Sequence, residues 1–273
     1  MMKVNGTEIT FGTFPNGETL IDGDAIQSIL KPINTVIWKY ENDGDLIKLM
    51  FIKRYIDQHQ AASSLIVAYM PYSRMDRIEG ASAFTLKYTA GLINSLNFIK
   101  VIVIEPHSDV TMALLDRSEA LYPTLSLLAQ VADAASLDWS KDVLFFPDAG
   151  AQKRYSKLKG DYKQVVGFKQ RDFATGRIQR LELVGQVPDA PFKALIVDDL
   201  CSYGGTFLLS AERLREAGAS HVYLLVAHCE KSIYKGKLLE SGLVDGIYTT
   251  DTILDVAGHD IIHIFETGGF IYE

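Results

Sequence analysis

Asp198 and Asp199 stand side by side, and Ser202-Tyr203-Gly204-Gly205-Thr206 follows within three residues. Adjacent carboxylates accept hydrogen bonds from a vicinal diol such as that of ribose, or hold a hard cation. Paired glycines let backbone N–H groups approach an anion, and a helix opening at Thr206 turns the positive end of its dipole toward it. This spacing suits the grip of a phosphorylated ribose. The plainer reading is an acid-rich turn with Thr206 as a helix cap. Neither a GxxxxGK[ST] phosphate loop nor a GxGxxG dinucleotide turn occurs.

Other segments concentrate charge in the same way. Pro71-Tyr72-Ser73-Arg74-Met75-Asp76-Arg77 offers guanidinium groups that suit phosphate oxygens, or forms a solvated loop. Glu105-Pro106-His107-Ser108-Asp109 sets a histidine among acids, as a Mg²⁺ or phosphate contact or as a surface histidine. Pro147-Asp148-Ala149-Gly150 adds a carboxylate, with Lys153-Arg154 behind it. Lys169 and Arg171 precede a polar stretch, 172–177, that reads as a mobile loop. Cations on a closing loop neutralise charge that develops in phosphoryl transfer; a charged hairpin is the bland alternative.

These segments need a scaffold that aims them at one place. Apolar runs at 35–40, 64–69, 101–105, 143–146, 194–197 and 221–227 predict strands, and their Val/Ile/Leu density suggests burial on both faces of a parallel sheet. Stretches 46–58, 84–96 and 206–217 predict helices, the last stopped by Gly218. Alternating strands and helices imply doubly wound sheets, in which ligands bind beyond the carboxyl ends of the strands. The segments at 71–77, 105–109, 147–154 and 198–206 each follow an expected strand. A helical or irregular region at 121–140 puts a boundary near residue 125, giving units 1–125 and 126–273.

Composition sets the limits. With 273 residues, 48% hydrophobic and 22% charged, the chain is expected to be a soluble α/β protein. A formal charge of −7 argues against a nucleic-acid partner. No apolar run reaches the ~20 residues of a membrane helix, so no membrane partner is expected. The two cysteines, Cys201 and Cys229, lack metal or CxxC spacing, and there is no signal-peptide core; a cytoplasmic location is expected.

Taken in order, these segments resemble the ribose-phosphate diphosphokinase (PRPP synthetase) family over roughly residues 11–255. Phe14-Pro15-Asn16-Gly17-Glu18 is similar to the family's F-[SP]-[DN]-G-E, so Phe14, Asn16 and Glu18 would contact ATP, often across a subunit interface. Residues 71–77 resemble P-Y-x-R-Q-D-R, which gives Arg74 and Asp76 to ATP as well. His107 matches the His of D-L-H, with Glu105 in place of the Asp. Asp148 matches S-P-D-A-G, beside ribose and metal, so His107 and Asp148 would organise Mg²⁺. Lys169-Gln170-Arg171 resembles the catalytic K-x-R of a flexible loop. Asp198, Asp199, Ser202, Tyr203, Gly204, Gly205 and Thr206 match the ribose-phosphate loop D-D-x-x-D-T-x-G-T.

The resemblance implies two tandem phosphoribosyltransferase-like domains with mainly parallel, doubly wound α/β sheets. It implies Mg-ATP and ribose 5-phosphate as substrates, PRPP and AMP as products, and a homo-oligomer of dimers or larger. Catalysis would rest on Lys169, Arg171 and His107. The family's N-terminal strand and helix ahead of Phe14 are read as missing, which removes its allosteric phosphate site from the resemblance. Met75 replaces Gln, and Ser202-Tyr203 replaces Asp-Thr in the phosphate loop. The Tyr203 ring either blocks a monoester pocket or stacks on a larger 5-substituent, which keeps ADP-ribose as an alternative acceptor. A phosphoribosyltransferase and a non-catalytic regulatory homologue are the competing classes. The ATP-type segments count against the first, and retained His107, Lys169 and Arg171 against the second.

Overall fold

The computed structural model describes residues 1–158, 160–171, 178–189 and 191–271, with the side chains of 169–171, 178–180 and 270–271 outside the description. The chain divides into two units, Met1–Leu121 and Tyr122–Glu273.

The first unit opens with two hairpins, β1 (Met2–Val4) with β2 (Thr7–Glu8) and β3 (Phe11–Thr13) with β4 (Thr19–Ile21), then helix α1 (Gly23–Gln27). There follow β5 (Ile33–Trp38), α2 (Gly44–Gln58), β6 (Ala62–Val67), α3 (Thr85–Ser95), β7 (Val101–Ile104), α4 (Asp109–Leu114) and β8 (Ser118–Leu121). Its main sheet runs β2-β1-β5-β6-β7-β8. Strands β5 to β8 are parallel, and β1 lies antiparallel to β5. Leu49, Ile52 and Ile56 of α2 and Leu86, Ala90 and Ile93 of α3 recur at helical spacing and meet Val36, Trp38, Leu65, Val67 and Val103 in one core. The expectation of no strand before Phe14 is corrected. Met2 and Val4 are buried and pair with Trp38 and Val36, so three residues suffice for a strand, flanked by β2 and β5, where burial supplies the stabilisation.

The second unit contains α5 (Pro123–Ala134), β9 (Val143–Phe146), α6 (Ala149–Arg154), β10 (Lys163–Arg171), β11 (Ile178–Gly185), β12 (Phe192–Cys201), α7 (Gly205–Glu216), β13 (Ala219–Cys229), β14 (Gly246–Thr250), β15 (Ile262–Phe265) and α8 (Gly268–Ile271). Its sheet runs β11-β10-β9-β12-β13-β14-β15, parallel except for β11. The order reverses at β9, with β10 on one side and β12 onward on the other. That switch point is where an open α/β sheet leaves a crevice for ligands. Successive β12 residues serve opposite faces. Ala194 and Ile196 join Phe207, Ala211 and Leu214 of α7, whereas Leu195 and Val197 join Leu127, Leu128 and Val131 of α5. Both faces are buried, which is why this stretch is a continuous apolar run. Gly218 follows α7 at φ +101°, as its expected role as helix stop requires. Among the described residues no helix is long and apolar enough to cross a membrane.

Candidate active site

The expected strand at 194–197 is longer in the structure, and Asp198 and Asp199 lie on β12 itself. The extension is held by β13, through the register Asp198↔Val226, Leu200↔His228 and Cys201↔Cys229. On the other side β9 pairs only with residues 194–196 before turning into α6. The acids therefore sit at the switch point with the last turn of α6 facing them.

Asp148 caps α6, its Oδ1 accepting from the Ala151 amide at 3.1 Å. Six residues on, Arg154 reaches back with a single nitrogen, Nη1, to Asp199 Oδ1 at 2.8 Å and Asp198 Oδ1 at 3.1 Å. The Asp199 amide also donates to Asp198 Oδ1 at 2.9 Å. The three side chains are nearly enclosed, Asp199 being only 6% exposed. Burial first, and then the Asp199 charge, push the Asp198 carboxyl well above the usual range, and Arg154 opposes the rise. The Arg154 guanidinium thus bridges two carboxylates, whose oxygens are acceptors suited to hydroxyl donors or a cation.

Beyond β12 the loop turns through Gly204, which adopts φ +79° and forms the N-cap of α7 with no side-chain cap. A Cβ there would come within 2.8 Å of the Leu238 Cβ, so conformation and space both require glycine. The plainer reading, with Thr206 as cap, does not hold: the helix starts at Gly205, and its N-cap, Gly204, has no side chain to cap it. This leaves backbone donors and the dipole for an anion. Ser202 and Thr206 are half-buried, Gly205 is exposed, and the Tyr203 ring stands in solvent at 59% exposure.

Lys169 and Arg171 belong by backbone to β10, where Lys169 pairs with Leu181 and Arg171 with Ile178 across a register shift. Their expected place at the start of a loop is corrected to the end of a hairpin strand. Their side chains and residues 172–177 lie outside the described residues.

In the first unit, Phe14, Asn16 and Glu18 meet at the tip of the β3–β4 hairpin. Gly17 at φ +91° closes the turn, Phe14 N donates to Glu18 O at 2.8 Å, and Asn16 Nδ2 donates to Glu18 Oε2 at 2.8 Å. Phe14 is 46% exposed. Arg74, exposed, and Asp76, half-buried, follow β6. The segment enters through Tyr72 at φ +61°, whose hydroxyl donates to Asp43, and Asp43 also accepts from Tyr40 at 2.6 Å. These two hydroxyls hold the Asp43 carboxyl below its ordinary range. His107 is half-buried after β7. Glu105, which stands where the family has Asp, is buried at φ +43°. Non-glycine residues in left-handed conformation after two neighbouring strands concentrate strain on this sheet edge, where sites are commonly built.

Sequence reasoning left Arg154, Asp43 and Tyr40 without roles. Arg154 had a signal, a cation one short helix after Asp148; Asp43 and Tyr40 had none, because their contacts cross between strand-end loops. For Mg²⁺ the described residues contain no group of three or more His, Cys, Asp or Glu side chains able to form a cage. Mg²⁺ is commonly held by one or two carboxylates with substrate oxygens and water, and the oxygen donors Asp148 and Asp198 at the strand ends fit that mode.

The family described as "Phosphoribosyl synthetase-associated domain" matches residues 173–263. A ribose-phosphate pyrophosphokinase of Sulfolobus acidocaldarius is 26% identical over 266 residues, covering 90% of this chain and 84% of that protein. Another from Sulfurisphaera tokodaii is 28% identical over 255 residues, covering 88% and 82%. A third, from Marinomonas sp., is 28% identical over 197 residues, and the match spans 69% of this chain and 60% of that protein. Among solved structures, phosphoribosylpyrophosphate synthetase from Mycobacterium smegmatis superposes at TM-score 0.77 with 17% identity, covering 97% of this chain and 87% of that one, a likeness of fold. By these matches the chain is similar over most of its length to ribose-phosphate pyrophosphokinases, which are transferases.

Proposed function

We propose that the chain transfers the β,γ-diphosphate of Mg-ATP to the anomeric hydroxyl of a ribosyl 5-phosphate, releasing AMP, with ribose 5-phosphate as the simplest acceptor. The observation that carries this reading is the run from Asp198 and Asp199 to the glycine N-cap of α7: two carboxylates for a ribose diol, then a helix N-terminus for its phosphate.

The roles follow from charge and placement. Asp198 and Asp199 accept from the ribose hydroxyls, and Ser202, Tyr203, Gly204, Gly205 and Thr206 surround the 5-phosphate. Arg74 and Asp76 meet the ATP phosphates, and Phe14, Asn16 and Glu18 meet the adenine, in a homo-oligomer with those of a neighbouring subunit. His107 in the first unit and Asp148 in the second are each proposed as a Mg²⁺ contact, and the ion would supply charge neutralisation on the phosphates. Lys169 and Arg171 add positive charge as the diphosphate shifts. The reaction needs no covalent intermediate on the protein, only positioning and electrostatics. The first unit, proposed as 1–125, handles ATP; the second, 126–273, handles the acceptor.

A second acceptor is favoured by one observation. The Tyr203 ring is exposed instead of folded over the loop, so it leaves the phosphate position open and offers a face to a larger 5-substituent, as in ADP-ribose.

The test is incubation with Mg-ATP plus ribose 5-phosphate or ADP-ribose, following AMP. Acceptor-dependent AMP is expected, and Lys169→Ala should abolish it. No AMP above the acceptor-free blank with either sugar would remove the reading in favour of a regulatory homologue. Consumption of PRPP with a base, without ATP, would identify a phosphoribosyltransferase.

A further inference from the structure

The chain that leaves β13 packs directly against the phosphate loop, and the roles above leave it unused. After Cys229 it winds through a 3-10 turn at Lys231–Lys235 and comes back to the loop at Gly236. Gly236 lies so close to Tyr203 that any Cβ there would overlap the Tyr203 carbonyl oxygen. Buried Ile233 and Leu238 fix the segment from below.

Its outer side has a definite chemistry. Lys231, Lys235 and Lys237 are all exposed, within a chain of formal charge −7. Two tyrosines are exposed here, Tyr203 on the phosphate loop at 59% and Tyr234 in the 3-10 turn at 40%. The Tyr234 hydroxyl is anchored, accepting from the Gly258 amide at 2.9 Å, so the ring is held as a platform. Glu230, next to Lys231, accepts from the Ser232 hydroxyl at 2.9 Å. A 5-phosphate monoester is already served by the amides of α7. The three exposed cations of the neighbouring segment exceed what that one group requires, and lysines act as point charges for phosphate.

We propose that residues 231–237, with Tyr203, form a subsite for what lies beyond the acceptor's 5-phosphate: a second phosphate facing the lysines and an aromatic base on the tyrosine rings. The preferred acceptor is then a ribose whose 5-phosphate is part of a diphosphate ester. This rests on the diphosphokinase reading and assigns its acceptor class.

The test compares ADP-ribose with ribose 5-phosphate as acceptors for Mg-ATP in the full-length protein. It is repeated with Lys231→Ala, Lys235→Ala and Lys237→Ala combined, a surface change that thermal melting checks for folding. The wild type should favour ADP-ribose in kcat/KM, and the triple variant should lower that preference by about tenfold. Calorimetric titration with ADP-ribose should show about tenfold weaker binding in the variant. A wild-type preference for ribose 5-phosphate, or an unchanged preference in the variant, overturns the proposal. If neither sugar yields AMP, the diphosphokinase reading fails, and the titration decides the subsite alone. Absent ADP-ribose binding, or equal binding by the variant, then excludes it.

Discussion

Arg154 Nη1 stands 2.8 Å from Asp199 Oδ1 and 3.1 Å from Asp198 Oδ1, one nitrogen serving a buried carboxylate and a half-buried one. Deleting one member of a buried charge cluster leaves the others uncompensated, a loss of about 3 kcal/mol. Arg154→Met is therefore expected to lower stability by about that much in urea titration. Acceptor KM should rise with it, since the two carboxylates lose their common anchor. A variant as stable as the wild type would mean the contact is incidental.

The Asp198 carboxyl is raised by burial and by Asp199, and this fixes a sign. A group whose folded value lies above its unfolded one, about 3.9 for Asp, stabilises the fold below that unfolded value. Its contribution is lost as pH rises through the folded value. At pH 7 Asp198 works against the fold. Asp198→Asn should then melt higher than the wild type at pH 7, with the advantage vanishing near pH 4, while turnover is lost. A lower melting temperature at pH 7 would contradict the assigned direction.

Asp148 combines two tasks that two substitutions separate. Asp148→Asn keeps an N-cap acceptor for the Ala151 amide and should retain stability, yet lose turnover with the charge proposed for Mg²⁺. Asp148→Ala should lose turnover and also about 1 kcal/mol of stability. Full activity in the Asn variant would limit Asp148 to capping.

Asp43 accepts from both Tyr40 and Tyr72, tying the start of α2 to the segment that carries Arg74. Asp43→Asn should raise the KM for Mg-ATP severalfold with little change in kcat or acceptor KM. A drop in melting temperature with unchanged KM for ATP would reduce the contact to a structural tie.

Much of this architecture is legible from residue order. The apolar runs of β9 and β12 declare strands buried on both faces, and Gly204 and Gly218 mark turns that their positive φ values require. The extent of β12 is not legible, because Asp198 and Asp199 have poor strand propensity and are held in the ladder by β13. Strand β1, three residues long, is too short for a periodic signal. Arg154's partners lie 44 and 45 residues away, and Tyr72's partner Asp43 lies 29 away. Contacts at such separation are set by topology, and residue spacing does not reveal them.

The most direct test of the central claim is the fate of the ATP phosphates, followed by phosphorus NMR with Mg²⁺ and a ribosyl 5-phosphate acceptor. Diphosphate transfer predicts equimolar AMP and a new diphosphate ester on the anomeric carbon, neither forming when the acceptor is left out. ADP with a singly phosphorylated sugar, or AMP with free diphosphate and unchanged acceptor, would contradict it.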